Sequence, residues 1–454
     1  MRVLLISHFF PPTHNAGTEK RTLGYALSLQ KLGHDVQVVC AEGWEEDAHY
    51  WNGYTDEIFR GVPVRRVHIN WKLAPDPNRY LYNSPDVEDH LGLWLKEWKP
   101  DIVHITSCVT LSASAINAVK DQNIPLVLTL TDFWFICPQL NLLKRDNSMC
   151  DGKTTAWDCL ECRFGDSVAY KTIDLIPHKK LSQNLVRVIS KQPAISRMRG
   201  FRGMAIDTED RKLFLTNILE RVDCITAPSN SLRDTFRNSG IVHPIRVIYS
   251  GHDLSCLNDF STRKEHSTKI RIGFIGQIVP VKGLHVLLSA FGNVQADKVQ
   301  LLVYGDDSQD PEYMLKLKDI VKRHPGMDVK FFGRFPHEQL GKVLSTMDVL
   351  VVPSQWCENN PRVIQEAFAS KTPVIASNVG GISEFVQHEI NGLLFERNNI
   401  AELTSNLQRL IDDPEMIKIL EKMIPKVKTI EESMLEFESI YNDLIASGVK
   451  SSSL

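Results

Sequence analysis

Trp356-Cys357-Glu358-Asn359-Asn360-Pro361-Arg362-Val363-Ile364-Gln365-Glu366 follows the apolar run Val349 to Val352, and the two together read as a strand, a loop and the start of a helix. Asn359 or Asn360 can cap that helix, and Pro361 suits its first position, which has no intrahelical use for an N–H. Free N–H groups and the positive end of the helix dipole would then meet an incoming anion. Glu358 and Glu366 bracket the loop. If most of the span were helical, the two carboxylates would stand about 12 Å apart, the length of a sugar joined through a diphosphate to a ribose.

The same strand-loop-helix unit recurs outward from this stretch. In the first half, Val3–Ser7, Asp35–Cys40, Val64–His68, Asp101–Thr106 and Pro125–Leu130 read as strands, with amphipathic segments such as Lys20–Leu32 and Leu111–Lys120 between them. In the second half the strands are Ile270–Gly276, Val299–Gly305, Asp328–Gly333, Val349–Val352 and Pro373–Ser377. Such alternation predicts right-handed crossovers and parallel sheets covered on both faces. The expected architecture is therefore α/β, with two doubly wound domains whose ligands bind beyond the carboxyl ends of the strands. The boundaries read as an N-terminal domain over 1–248 with an insertion over about 133–212, a polar linker over 249–268, a second domain over 269–425, and a tail over 426–454 whose helix Glu431–Ile445 returns to the first domain.

A chain of 454 residues exceeds one ordinary core, which agrees with two domains. The formal net charge of -3 gives no reason to expect nucleic-acid binding. The opening Val3–Ile6 is too short for a signal-peptide core, and no window reaches the roughly 18 to 20 apolar residues of a membrane span. A cytoplasmic location is expected. The segment Arg163–Lys212 carries Lys171, Lys179, Lys180, Arg187, Lys191, Arg197, Arg199, Arg202, Arg211 and Lys212. It reads either as a solvated excursion or as a face for a phosphorylated acceptor or for anionic lipid, the last of which would make the protein peripheral on the inner face of the membrane.

Two further loops suit phosphate. Ala16-Gly17 lies just before the first helix, where small residues allow close backbone approach. Gly276-Gln277-Ile278-Val279-Pro280-Val281-Lys282-Gly283 follows a strand, and Lys282 could neutralise a diphosphate there. Neither is a G-x-G-x-x-G or Walker loop. Gly380-Gly381-Ile382-Ser383-Glu384 follows another strand, with Glu384 read as capping a helix N-terminus. Four of the nine cysteines, Cys137, Cys150, Cys159 and Cys162, form a C-x12-C-x8-C-x2-C pattern. Reduced thiols at that density predict a structural zinc site, with unligated thiols, and after them an iron-sulfur cluster or disulfides, as the alternatives. His104, on a strand, reads as a satisfied core or cleft residue and not a ligand.

Taken together, Glu358-x7-Glu366, Gly276-x5-Lys282-Gly283, Gly380-Gly381-x-x-Glu384 and Asn391-Gly392-Leu393-Leu394-Phe395 resemble family 4 of the retaining GT-B glycosyltransferases, most specifically from Ile270 to Phe395. The resemblance implies two Rossmann-like domains facing each other across a cleft. It implies transfer of a sugar, with retention, from a nucleotide-diphosphate donor to a glycan or lipid-linked acceptor, in building a cell-surface polysaccharide. By the same resemblance Glu366 holds the donor ribose and Glu358 the hydroxyls of the transferred sugar, with the Asn359-Asn360 backbone nearby. Lys282 binds the diphosphate, Gly333–Pro336 borders the base, and Gly17 approaches the phosphates or the acceptor. No catalytic metal is implied.

The sequence departs from the family at two places. Gln277 stands where an arginine is usual, and Thr131-Asp132 where a His-Asp pair is frequent, leaving Asp132 near the sugar. Some members carry a similar Asp-Phe-Trp run with a cysteine cluster. Two other readings share the architecture, a non-hydrolysing nucleotide-sugar epimerase and a catalytically silent nucleotide-sugar-binding protein.

Overall fold

Segments of three to nine residues, most of them rich in β-branched and other apolar side chains, form the strands of two sheets, and amphipathic helices cover them. The computed structural model describes residues 1–167, 170–171, 184, 188, 206–257 and 267–448. It divides into two compact units. One comprises Met1–Pro228, Leu232–Tyr249 and the chain from Ile430 onward, the other Ser229–Ser231 and Ser250–Thr429. Much of the basic segment expected over 163–212, and 258–266 of the expected linker, lie outside the described residues.

The first unit holds β1 (Arg2–Ser7), β2 (Asp35–Gly43), β3 (Trp51–Phe59), β4 (Val62–Ile69), β5 (Ile102–Ile105), β6 (Leu126–Thr129), β7 (Cys224–Ala227) and β8 (Ile245–Val247). Their order is β3-β4-β2-β1-β5-β6-β7-β8. Order reverses between β1 and β5, which makes that boundary a topological switch point. All pairings are parallel except β3 with β4. That antiparallel edge departs from the all-parallel expectation. Arg60 and Gly61, at φ 51° and 83°, form the two-residue turn with left-handed backbone that a tight hairpin requires. Arg65 sits opposite Asp56 in the register and donates to both of its carboxylate oxygens at 2.8 Å.

The last helix, Ile430–Ala446, buries Met434, Phe437, Ile440 and Tyr441 among Tyr25, Leu29, Val3 and Leu5 of this first unit. Tyr441 Oη also lies 2.6 Å from His104 Nδ1, while His104 Nε2 lies 2.7 Å from Thr129 Oγ1. Both ring nitrogens are thus satisfied in the core, as the strand position of His104 suggests. Burial drives the His104 pKa down to about 3, so the imidazole is neutral.

The second unit holds β9 (Ile270–Ile275), β10 (Val299–Tyr304), β11 (Val329–Gly333), β12 (Val349–Val352), β13 (Val374–Ser377) and β14 (Gly392–Phe395) in the order β11-β10-β9-β12-β13-β14, all parallel. Alternate residues serve opposite faces. Leu301, Val303, Val349, Val351 and Ile375 enter one core, while Leu302, Tyr304, Leu350, Val352 and Val374 enter the other. The switch point lies between β9 and β12. Among the described residues no helix is long and apolar enough to cross a membrane.

Candidate functional site

The loops leaving β9, β12 and β13 meet at the switch point of the second unit. After β9 comes a single turn, Pro280–Lys282, closed by Gly283 at φ 74°. Lys282 Nζ donates to Glu358 Oε1 at 2.6 Å, and the same oxygen accepts from Trp356 Nε1 at 2.8 Å and Ser354 Oγ at 3.0 Å. The Lys282 ammonium also lies 5.1 Å from the centre of the Trp356 ring. Glu358 is 8% exposed, and so is Glu366. Three donors on one buried oxygen fix the carboxylate before any ligand arrives. Glu366, one turn inside the helix Arg362–Ala369, accepts from Arg362 Nη2 at 3.0 Å.

Backbone contacts between these loops leave no room for side chains at three glycines. A Cβ on Gly283 would stand 1.8 Å from the carbonyl oxygen of Pro353, one on Gly380 2.5 Å from that of Glu358, and one on Gly381 2.5 Å from that of Asn359. Gly381 N–H donates to Glu358 O at 2.6 Å, and Gln355 N–H donates to Val281 O at 2.7 Å. Glycine here serves close backbone approach. The sequence motifs are therefore one packed unit.

Two details correct the sequence reading. Pro361 is itself the N-cap of the helix and no side chain caps it, so Asn359 and Asn360 do not play that part, because the loop from Glu358 to Asn360 is held by Gly380 and Gly381 instead. The helix begins only at Arg362, so Glu358–Pro361 is loop and a continuous helical rise does not set the separation of the two carboxylates. Asn360 keeps both side-chain polar atoms buried without a partner, an arrangement suited to a polar ligand. Gln277 is exposed. Glu384 does not cap the helix of its own motif, Ile382–Phe385, which has no side-chain cap; its carboxylate accepts instead from the backbone N–H groups of Asn230 at 2.9 Å and Ser231 at 2.6 Å, both grouped with this unit.

In the first unit, Gly17 begins the helix Gly17–Lys31 and has open space where a Cβ would stand. Asp132 follows β6, and its Oδ1 accepts from the N–H of Trp134 at 2.7 Å. Burial raises the Asp132 carboxyl above its ordinary value against that hydrogen bond. Thr131 turns to the backbone, donating to Thr106 O at 3.2 Å. Sequence reading missed three residues here. His8, just after β1, lies with Nε2 3.1 Å from Glu19 Oε1. Arg66, 5% exposed, donates to the carbonyls of Phe10 at 3.1 Å and Pro11 at 2.5 Å and so anchors the loop after β1. None of the three lies in a motif, and their partners are eleven or more positions away along the chain, so only the fold brings them together.

Cys137, Cys150, Cys159 and Cys162 line one pocket of about 530 Å³. Yet among the described residues no three His, Cys, Asp or Glu side chains are grouped as metal ligands, so the expected zinc centre is not assembled. Burial pushes the thiols of Cys150, Cys159 and Cys162 up, which keeps them protonated. Behind them Arg211 is buried, donating to the carbonyl of Trp134 and stacking 5.2 Å from its ring. That burial corrects its assignment to a basic surface, and pulls its pKa down to about 10.

A family model described as glycosyl transferases group 1 matches residues 258–428, and one described as glycosyl transferase 4-like domain matches residues 16–151. The YtcC protein of Bacillus subtilis is 28% identical over 255 residues, 50% of this chain and 62% of that protein, so the alignment spans about three fifths of that relative. Sucrose-phosphate synthase from Thermosynechococcus elongatus superposes with a TM-score of 0.67 at 19% identity, over 98% of this chain and 99% of that one. HepE from Anabaena, solved with UDP and glucose, gives 0.62 at 17% identity, over 98% and 100%. At these identities the likeness carries the fold, which is the GT-B arrangement of two α/β domains.

Proposed function

We propose, since the chain belongs to the group 1 glycosyl transferases, that it moves a sugar from a nucleotide-diphosphate sugar to a hydroxyl of a glycan or lipid-linked acceptor, with retention of configuration. The observation that carries this reading is the Lys282–Glu358 contact at the β9/β12 switch point. A cation beside an anchored carboxylate suits a donor whose diphosphate needs charge compensation and whose sugar needs hydrogen-bond acceptors. The acceptor oxygen bonds to the anomeric carbon while the bond from that carbon to the diphosphate oxygen breaks. The electron pair leaves with the nucleoside diphosphate, and the acceptor proton passes to the departing phosphate or to solvent.

In this account Lys282 exchanges Glu358 for the diphosphate and offsets the charge growing on it. Glu358, still held by Trp356 and Ser354, accepts from the sugar hydroxyls, and Glu366 accepts from the ribose. Asn359, Asn360 and Gln277 line the donor on the second unit, with Gly333–Pro336 beside the base. Gly17 and Asp132 serve the substrate on the first unit. A role in cell-surface polysaccharide building, and contact with the membrane face, belong to the same proposal. UDP-bound HepE supports a nucleotide-sugar donor by analogy of fold. Incubating the purified chain with UDP-, GDP- and ADP-sugars, with and without glycan or lipid extracts, should give nucleoside diphosphate release that rises with acceptor. Release from none of them would reject the reading.

A structural zinc on Cys137, Cys150, Cys159 and Cys162 remains part of the proposal. The donor chemistry fits, since four thiols share one pocket, although they would have to close further to bind. A tetrathiolate is anionic, and Arg211 lies within electrostatic range of Cys137 and Cys159. Elemental analysis of protein purified without a metal-affinity tag should then show about one zinc per chain, and none would sink the idea.

A further inference from the structure

The switch point of the first sheet, between β1 and β5, carries a pair that the motifs do not include. His8 follows β1 directly, and Glu19 lies in the first turn of the next helix. Glu19 is 3% exposed, with Oε1 3.1 Å from His8 Nε2. Burial opposes ionisation of Glu19, but the hydrogen bond from His8 leads the influences that outweigh it and hold the carboxyl below its ordinary value. An ionised carboxylate only accepts. In the neutral imidazole the proton therefore sits on Nε2, and Nδ1 keeps its lone pair.

His8 Nδ1 and Glu19 Oε2 are both buried without a hydrogen-bond partner. Each such atom is destabilising unless a ligand or water satisfies it. Asp132, within electrostatic range of His8, adds a further acceptor-bearing group. A site made of acceptors beside carboxyl groups disfavours phosphate and suits a ligand rich in O–H donors. We propose that His8 Nδ1 accepts a hydrogen bond from a hydroxyl of a bound sugar, with Glu19 as the positioning residue that fixes the imidazole. This rests on the transferase reading only for the source of the sugar, which is either the donor or the acceptor.

The test uses the full chain labelled with 15N-histidine, the His8 signals being assigned by their loss in His8→Gln. The expected result is an Nε2–H tautomer whose Nδ1 signal moves on adding sugar. Movement with UDP-glucose or GDP-mannose but not with UDP or GDP identifies the donor sugar. Movement with methyl glucoside, methyl mannoside or maltose identifies the acceptor. An Nδ1–H tautomer, a doubly protonated ring, or no movement with any of these sugars overturns the proposal, as does equal movement with UDP alone. Calorimetric binding of the same nucleotides reports separately on the transferase reading, so the two failures are distinguishable.

Variants add a functional readout. His8→Asn keeps an acceptor at the δ position, whereas His8→Gln keeps only an ε-position contact to Glu19. His8→Gln should weaken binding of the sugar that moves Nδ1 by about tenfold, the scale of one hydrogen bond, with His8→Asn restoring part of it and both melting as the wild type does. Equal losses in the two variants would mark a merely structural role and defeat the assignment.

Discussion

Glu358 Oε1 gathers Lys282, Trp356 and Ser354 around one buried oxygen, so substitutions there act on a preorganised group. Glu358→Ala should lower transfer by about 100-fold, the scale of removing one preorganised electrostatic contact, with a smaller effect on nucleotide binding. Steady-state rates and calorimetry on the same protein check the split, and a larger loss in binding than in turnover would reverse the assignment. Gly283 lends itself to a stability test. At φ 74° and with a Cβ 1.8 Å from Pro353 O, Gly283→Ala should cost more than about 2 kcal/mol, read as a lowered urea midpoint with an unchanged slope. The Glu358, Glu366 and Lys282 positions were legible in the sequence because spacing along one chain announces them. His8, Glu19 and Arg66 were not, since their relation exists only after β1, the first helix and β4 pack.

At the scale of elements, strands buried on both faces announced themselves and a strand held by charge did not. β12 and β13 are wholly apolar or small and fully buried. β3 is mostly exposed, pairs through Arg65 and Asp56, and has no alternating pattern to read. The helix start at Arg362 shows the same limit, because Gly380 and Gly381 hold the preceding loop from another part of the chain. Strand β5 supplies a pH prediction. His104 has a folded pKa near 3 against 6.5 when free, so the unfolded chain binds its proton first. Stability from this group is complete above pH 6.5 and is lost as the pH falls from 6.5 toward 3. At about pH 5 the loss should reach ~2 kcal/mol, at 1.36 kcal/mol per unit. Urea unfolding of wild type and His104→Gln across this range should show a steeper slope in the former, and equal slopes would contradict the prediction.

For the molecule as a whole, the chain runs through two α/β units and ends on the first. Because Met434, Phe437, Ile440 and Tyr441 are buried in that unit, truncation after Thr429 should destabilise it by several kcal/mol, at about 1.5–3 kcal/mol for each large apolar side chain. Hydrogen exchange should locate the loss in β1, β2 and β5 and leave β9, β12 and β13 protected. The two-unit plan was legible because each half repeats strand, loop and helix. The zinc expectation shows the reverse case, in which cysteine spacing predicted a centre that the fold gathers into a pocket without assembling it. The central claim is that the second unit takes a nucleotide sugar through Glu366 and Lys282. Calorimetric titration of wild type, Glu366→Ala and Lys282→Ala with UDP-, GDP- and ADP-sugars tests it most directly. The account predicts saturable binding of at least one of these sugars by the wild type, weakened about tenfold or more in each variant. Equal affinity in all three proteins, or no binding by the wild type, would contradict it.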